Sequence, residues 1–426
     1  MAETGGGADA DARPRAVPLQ LLAQRQFLLT WLAGAFAGVI RWLDVLAIGV
    51  YVLEVTGSAL MVALTLFVRM VPMLLFGAVV GAIAELVDRR KLLITGLIGL
   101  AGVYGLMGVL ALNGSLQIWQ MAIGVFLGGV FWSMELPVRR TMIVEIAGLE
   151  RIGPAMGLDS STNNLTRMVG PFIGGFVYEM AGLPGTMAIG AALYLVAALL
   201  LTFVDYGRAP GAVGTSSILA NIIEGLRQVR ANRTIAGVLV ITVFLNLFGF
   251  SYVSMVPVIA RQELGLSPFP TGVLMSAEGL GAFIGALLIA FLAQPRRFNQ
   301  LYLGGAILYL CCIIVFTLSP WFELSLGVLW IGGFGISGFA AMQSALIIAA
   351  SPPAMRNRIM GVLAMCIGFG PLGILLTGLL ADQLGASTAV LITATTGLFA
   401  MIGAGLYWPE MRRLREVAPV SGPPAP

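Results

Sequence analysis

The sequence predicts an all-α membrane protein of about twelve transmembrane helices, arranged as two pseudo-symmetric bundles of six. Of its 426 residues, 58% are hydrophobic and only 10% are charged, whereas a soluble domain carries about a quarter charged residues. At about 20 residues per span, a chain of this length has room for roughly twelve spans and short loops. A polar interval separates one set of six apolar segments from a second set of six, which predicts the two bundles.

The apolar segments define the predicted domains. Residues 1–26 are rich in Gly, Ala and Pro and are predicted to form a disordered cytoplasmic tail. A signal peptide is the alternative for the first apolar segment, but its hydrophobicity continues to Leu53, which favours an uncleaved span. The predicted spans are 27–53, 58–84, 92–112, 116–135, 156–180 and 184–204 in a first bundle over residues 27–205, and 235–257, 270–293, 301–318, 324–350, 359–381 and 386–407 in a second bundle over residues 235–408.

The two bundles are joined by a predicted cytoplasmic linker, residues 206–234. Within it, Ile218, Ile222 and Leu226 recur at helical spacing opposite charged residues. This pattern predicts an amphipathic helix on the inner membrane surface, with docking of a partner protein as the alternative. Residues 409–426 form a second predicted cytoplasmic tail.

The placement of charge predicts the topology. With the amino terminus inside, nearly every loop arginine falls on the cytoplasmic side and only Arg261 falls outside. The outer loops are acidic and carry Glu54, Glu179, Glu263, Glu323 and Asp382. By the positive-inside rule, this predicts a multi-pass protein of a bacterial cytoplasmic membrane with both termini inside. The net charge of +4 then reflects topology, and binding of nucleic acid is not expected.

The sequence lacks the residues that several kinds of catalytic and metal-binding site require. The chain has no histidine, so a proton carrier within it must be a carboxylate. A Ser-His-Asp triad, a histidine metal site and a Walker-type phosphate loop are absent from the sequence. Cys311 and Cys312 are adjacent in one apolar segment and Cys366 lies in another, which favours neither a disulfide framework nor a zinc site. The sequence predicts a protein that is not an enzyme and needs no cofactor or metal.

Charged residues within predicted spans are the candidate functional residues, because a charge within a bilayer is costly. They are Arg41 and Asp44 in the first span, Arg69 in the second, Glu135 in the fourth, Asp159 and Arg167 in the fifth and Glu278 in the eighth. Arg41 and Asp44 share one helix face. Asp44 is predicted either to exchange protons, with an affinity set by Arg41 or a substrate cation, or to form a local ion pair with Arg41. Arg69 is expected to pair with Asp44 or to bind an anionic group.

In the fifth span, Asp159, Asn163 and Arg167 recur every fourth residue and predict one polar stripe. Asp159 is two turns from Arg167, so Arg167 is expected to reach an acid on another helix, such as Asp44 or Glu135. A helix kinked by proline that serves only packing is the alternative.

Two further acids differ in their expected surroundings. Glu135 precedes Pro137 and is predicted to lie at the cytoplasmic interface, where a carboxylate costs little. Glu278 lies well inside its span on a face with Gly281 and Gly285, which lets a neighbouring backbone approach. Glu278 is therefore the second candidate, after Asp44, for an acid that couples proton movement to transport.

Two motifs resemble those of the major facilitator superfamily. Residues 77–93 read GAVVGAIAELVDRRKLL, and Gly81, Glu85, Asp88, Arg89 and Arg90 resemble the loop signature between the second and third spans of that family. Two residues depart from it, since Glu85 replaces the usual Asp and Leu86 a common basic residue. The resemblance implies a gate in which Glu85 contacts a helix amino terminus and Arg89, Arg139 or Arg140 to hold the outward-facing state. The alternative is a solvated cytoplasmic turn.

The second motif lies in the fifth span, where Gly157, Gly170, Pro171, Gly174 and Gly175 resemble the antiporter motif of the superfamily, although Thr166 replaces one glycine. Gly370 and Pro371 repeat the glycine-proline pair in the eleventh span, as parallel repeats would. The chain resembles bacterial exporters of siderophores and macrolide-type drugs over residues 26–408.

This resemblance implies a proton-coupled antiporter, expected to be a monomer, that exports a small amphiphilic organic solute, drug-like or siderophore-like. Its expected partners are the solute, protons and the lipid bilayer. Three alternatives stay open: an importer or facilitator of the same fold, a metal exporter of ferroportin type, and a membrane scaffold or receptor that transports nothing. Absence of histidine and of a clustered soft-ligand set weakens the metal exporter, and the charges within spans weaken the scaffold.

Overall fold

A computed structural model describes residues 17–206, 232–292, 294–351 and 355–412. Within these ranges, some side chains lie outside the description, among them those of residues 76–86. The described residues form helices and turns, with no strand among them. The predicted tail over residues 1–16, the amphipathic linker helix and the tail from residue 413 onward lie outside this description. Ten of the described helices are long and apolar enough to cross a membrane.

Twelve spans follow once two further features are taken into account. The helix Ile152–Thr202 contains two spans, because its backbone leaves the helical region at Gly182 (φ 62°, ψ −164°) before Pro184. The helix Ala59–Leu86 adds the remaining span. Spans 1 to 4 are Arg25–Thr56, Ala59–Leu86, Arg89–Leu112 and Ile118–Ala147; spans 5 and 6 are the two parts of Ile152–Thr202; and spans 7 to 12 are Arg233–Glu263, Pro268–Leu292, Phe298–Leu318, Phe322–Ala350, Arg358–Leu384 and Ala386–Tyr407.

Two predicted boundaries were wrong. Residues 17–26 were expected to be disordered, yet Val17–Ala23 is a short helix and span 1 begins at Arg25. Its Leu21 is fully buried with Phe27 against Ile143, so apolar burial orders this segment. Span 4 was expected to end near residue 135, but it continues through Pro137 to Ala147.

The two bundles meet at the end that carries Glu54, Glu179 and Glu263, called here the acidic end. Span 5 packs on span 8 there, and span 2 packs on span 11. A side chain on Gly175 would lie 2.6 Å from the carbonyl oxygen of Pro268, so spans 5 and 8 approach to backbone contact. Ion pairs and hydrogen bonds seal the same end, including Arg261 with Glu54 at 2.9 Å and Ser267 with Glu179 at 2.6 Å.

The bundles are internal repeats of one another. Arg69 and Glu278 each lie ten residues after the first residue of their helices, span 2 and span 8. A glycine eleven residues into the partner helix, Gly129 in span 4 and Gly333 in span 10, faces the carbonyl oxygen of Arg69 and of Glu278 respectively. Arg69 of the first bundle and Glu278 of the second therefore occupy equivalent positions in the repeat.

Candidate functional site

Among the residues whose side chains the structure describes, eight charged ones lie in the interior of the spans, and every one of them is in an ion pair. They form three groups. The Asp44 group lies within the first bundle, the Glu135 group lies in the same bundle toward the end opposite the acidic end, and the Glu278 group joins the two bundles. Such pairing is what burial in a low-dielectric interior requires.

The Asp44 group consists of Asp44, Arg69 and Tyr104. The Arg69 guanidinium donates to Asp44 Oδ1 at 2.5 Å, and the Tyr104 hydroxyl donates to Asp44 Oδ2. Arg69 also donates to the backbone carbonyl of Arg41 at 3.3 Å. Of the two partners expected for Arg69, the structure has Asp44, while the alternative of a local pair between Arg41 and Asp44 was wrong.

A cavity of about 20 Å³ adjoins this group, with Asp44, Arg69 and Ser254 among its lining residues. This volume is enough for about one water molecule. Ser254 belongs to span 7, so the cavity lies between the two bundles.

The Glu135 group contains Arg41, Glu135, Arg139, Arg140 and Asp159. Glu135 accepts from Arg41 at 3.0 Å and from Arg139, and Asp159 accepts from Arg139 and from Arg140, the latter at 2.8 Å. Glu135 is only 3% exposed, so its carboxylate is buried against two arginines, whereas a solvated carboxylate was expected at the membrane interface. The predicted span ends before Pro137, but the helix continues past this proline and brings Arg139 to the Glu135 carboxylate.

Arg139 is buried, although it follows the predicted end of span 4 at residue 135. Its spacing from Glu135, four residues along one helix, is the signal that could have revealed it. Gly34 makes the arrangement possible, because a side chain at that position would collide with the Arg139 guanidinium. Span 1, span 4 and span 5 are thereby tied together within the first bundle.

The Glu278 group joins span 5 of the first bundle to the second bundle. Arg167 pairs with an acid on another helix, as expected, but that acid is Glu278 and neither Asp44 nor Glu135. Tyr252 donates to Glu278 Oε2, and the Tyr309 hydroxyl lies 3.3 Å from Oε1. The Arg167 guanidinium also lies 5.1 Å from the centroid of the Trp42 ring, a cation–π distance.

The predicted polar stripe on span 5 is divided by these contacts. Asp159 faces the arginines of its own bundle, whereas Arg167 faces the other bundle. Asn163 lies between them along the helix and is exposed. Gly281 and Gly285 let span 10 approach span 8 to backbone contact, as expected.

The glycine-proline segment of span 5 positions both bundles around Arg167. A side chain on Gly170 would lie 2.8 Å from the carbonyl oxygen of Val39, and one on Gly174 would lie 2.9 Å from that of Leu43, so span 1 packs closely on this face. Pro171 lies inside the helix without ending it. Where Thr166 departs from the family motif, Gly38 of span 1 provides the space, since a side chain there would lie 2.9 Å from the threonine hydroxyl.

The charged corner between spans 2 and 3 holds helix ends together. Asp88 caps span 3 by accepting from the backbone N–H of Lys91 at 3.1 Å, and Arg90 donates to the carbonyl of Leu201 at 2.9 Å. Arg89 pairs with Glu145 at 3.0 Å. The contacts of Gly81 and of the Glu85 carboxylate lie outside the description, so the gate that was expected there stays a prediction.

Arg89 has a second partner in Tyr206, whose hydroxyl lies 2.9 Å from it and also donates to Glu145. Burial, followed by the hydrogen bond to Glu145, raises the pKa of Tyr206. Tyr206 therefore stays a neutral donor at physiological pH.

Residues 16–420 match the family described as transmembrane secretion effector, a branch of the major facilitator superfamily. The chain is 27% identical over 401 residues to the multidrug efflux pump Tap of Mycolicibacterium fortuitum, covering 91% of this chain and 96% of Tap. It is 20% identical over 400 residues to macrolide efflux protein A of Streptococcus pyogenes, covering 92% and 97%. It is 22% identical over 349 residues to the staphyloferrin A transporter of Staphylococcus aureus, covering 81% and 87%.

Solved structures of other proteins share this fold. The crystal structure of the nucleoside transporter NupG superposes with a TM-score of 0.67 at 15% identity, covering 94% of this chain and 100% of that one. Twelve spans in two repeated bundles and a family match over nearly the whole length agree with each other. The chain therefore belongs to the transmembrane secretion effector family of the major facilitator superfamily and is a membrane transporter.

Proposed function

We propose that this transporter exports a small amphiphilic organic solute from the cytoplasm in exchange for protons, and that Glu278 carries the coupled proton. The observation that carries the proposal is the ion pair between Arg167 and Glu278, because it joins one bundle to the other. The acidic end would face outward, with both termini in the cytoplasm, as the charge pattern predicts.

The two buried carboxylates differ in what happens when the bundles move. In this fold, alternating access is largely a rigid-body rocking of one bundle against the other. Asp44, Arg69 and Tyr104 all belong to the first bundle, so their contacts persist through that motion. Glu278 stays with Tyr252 and Tyr309 in the second bundle, while Arg167 moves away with the first.

Loss of Arg167 leaves the Glu278 carboxylate buried without a positive charge beside it. A buried charge that loses its partner costs about 3–5 kcal/mol, and a carboxylate avoids that cost by taking up a proton. Parting of the bundles at the acidic end and protonation of Glu278 from outside then favour each other. Return of Arg167 as that end closes would expel the proton toward the cytoplasm, which is the half of the antiport cycle that carries the proton.

The nature of the solute is proposed from the relatives. Their names describe efflux of several drugs, efflux of macrolides and transport of staphyloferrin A. A drug-like or siderophore-like amphiphile fits all three names.

The proposal is tested in proteoliposomes with an imposed proton gradient, using ethidium and radiolabelled erythromycin as probes. We expect an acidic lumen to drive accumulation of at least one probe and to lose protons as it does so. Glu278→Gln should abolish gradient-driven accumulation and the loss of protons that accompanies it, since an amide cannot take up and release a proton.

Glu145→Gln is the matched control, because Glu145 is also held by an arginine and a tyrosine but lies in the first bundle at the helix ends. It should retain gradient-driven accumulation. Accumulation that is the same with and without a gradient would instead show a facilitator, and loss of proton exchange in the control would remove the special role of Glu278.

A further inference from the structure

The Arg167 guanidinium occupies a cage built from both bundles. The Trp42 ring lies on one side of it at 5.1 Å, and the Glu278 carboxylate accepts from it. Tyr252 and Tyr309, which bond the same carboxylate, are 2% and 1% exposed. An aromatic face, a carboxylate and two hydroxyl groups are the set of groups that binds organic cations in proteins.

The cage has no room for a solute while Arg167 fills it. The cavity beside it, lined by Trp42, Arg167, Pro171, Tyr252, Met275 and Glu278, has a volume of about 10 Å³. That is about the space of one water molecule at most. A ligand must therefore take the place of the guanidinium itself.

The internal repeat explains why this position is exchangeable. In the first bundle, Asp44 is neutralised by Arg69 of the same bundle. In the second bundle, Glu278 occupies the position equivalent to Arg69, and the described structure neutralises it with Arg167 of the other bundle. The second bundle thus offers a buried negative charge whose positive partner is supplied from outside that bundle.

We propose that the exported solute is an organic cation, bearing an ammonium, phosphonium or guanidinium group, which binds at Glu278 in place of the Arg167 guanidinium. This proposal rests on the proposed function and names the substrate class of the same site. While the acidic end is closed, the solute reaches the cage from the cytoplasm, and its cationic group displaces the Arg167 guanidinium and binds the carboxylate between Tyr252 and Tyr309. When the acidic end parts, a proton from outside replaces the solute. A proton and the solute then compete for one carboxylate, so that each leaves as the other binds.

The test compares two ions of nearly equal size and shape but opposite charge, tetraphenylphosphonium and tetraphenylborate. Binding of each to the full-length protein in nanodiscs is measured by equilibrium dialysis, with empty nanodiscs as the blank. We expect saturable binding of tetraphenylphosphonium and at least tenfold weaker protein-dependent binding of tetraphenylborate. Preferential binding of the borate, or equal binding of both ions, overturns the proposal, and this comparison needs no variant.

Variants then locate the site. Glu278→Gln should weaken binding of tetraphenylphosphonium at least tenfold, and Glu145→Gln should leave it within twofold of the wild-type protein. Arg167→Ala should strengthen it, because the competing guanidinium is gone, and millimolar guanidinium chloride should compete with the probe in that variant. If Arg167→Ala does not fold, Trp42→Leu replaces it and should weaken binding of tetraphenylphosphonium, because the aromatic face of the cage is lost; unchanged binding would contradict the cage. Binding that Glu278→Gln leaves unchanged contradicts the proposal.

These results are separable from those on proton coupling, since dialysis is carried out without a gradient. Cation binding at Glu278 without proton exchange in proteoliposomes would uphold the cation site and refute antiport. Proton exchange driven only by a neutral or anionic probe would uphold antiport and refute the cation site.

Discussion

Asp44 and Arg69 neutralise each other inside the first bundle, where both side chains are no more than 7% exposed. Removal of one partner leaves the other charge buried, at a cost of about 3–5 kcal/mol. We expect Asp44→Asn to lower the free energy of unfolding by about this amount, and Asp44→Asn combined with Arg69→Gln to recover part of the loss. Thermal unfolding in detergent, followed by tryptophan fluorescence, measures both. A double variant less stable than the single one would contradict this account of the pair.

The pairing of charges is the part of the site that the sequence predicts least well. All seven residues singled out for their cost in a bilayer do lie in the interior, yet Arg167 meets Glu278, a residue 111 positions away in the other bundle. Spacing along one helix predicts neighbours on that helix only. Partners on separate helices depend on how the bundles pack, and Tyr252 and Tyr309 carried no signal beyond being polar tips in apolar segments.

Among the spans, the fifth positions the site because its glycines meet a different bundle on each side. Gly175 faces the Pro268 carbonyl of span 8, whereas Gly157 has open space around it. We expect Gly175→Ala to push the acidic ends of spans 5 and 8 apart and to raise the reactivity of a cysteine at Ser267 toward a membrane-impermeant maleimide several-fold. Gly157→Ala, on the same helix, is the matched control and should leave that reactivity unchanged. Equal reactivity in both variants would show that this contact does not hold the end closed.

The presence of each helix was predictable from the sequence, whereas the residues at which helices end were not. Every predicted span has a helix in the structure, because long apolar runs in a bilayer must satisfy their backbone hydrogen bonds internally. Pro137 illustrates the failure, since the helix passes through it and carries Arg139 into the interior. Tertiary ion pairs with Glu135 and Asp159 stabilise that continuation, and they cannot be seen in a local pattern.

For the whole molecule, the contacts between bundles at the acidic end imply that this end must open during transport. Glu179 of span 5 accepts hydrogen bonds from Ser267 at 2.6 Å and from the backbone of Phe269 at 2.8 Å, so these positions lie close enough to be linked. In a background without Cys311, Cys312 and Cys366, we expect Glu179→Cys with Ser267→Cys to react with a short, reducible bifunctional thiosulfonate. The link should stop solute transport, and its reduction should restore it.

The control joins two positions within one bundle. Tyr206 donates to Glu145, so Glu145→Cys with Tyr206→Cys can be linked by the same reagent between span 4 and the end of span 6. Because both positions move with the first bundle, that link should leave most of the transport intact. Transport that survives the link between Glu179→Cys and Ser267→Cys would contradict rocking of the two bundles, and with it the separation of Arg167 from Glu278 on which proton exchange depends.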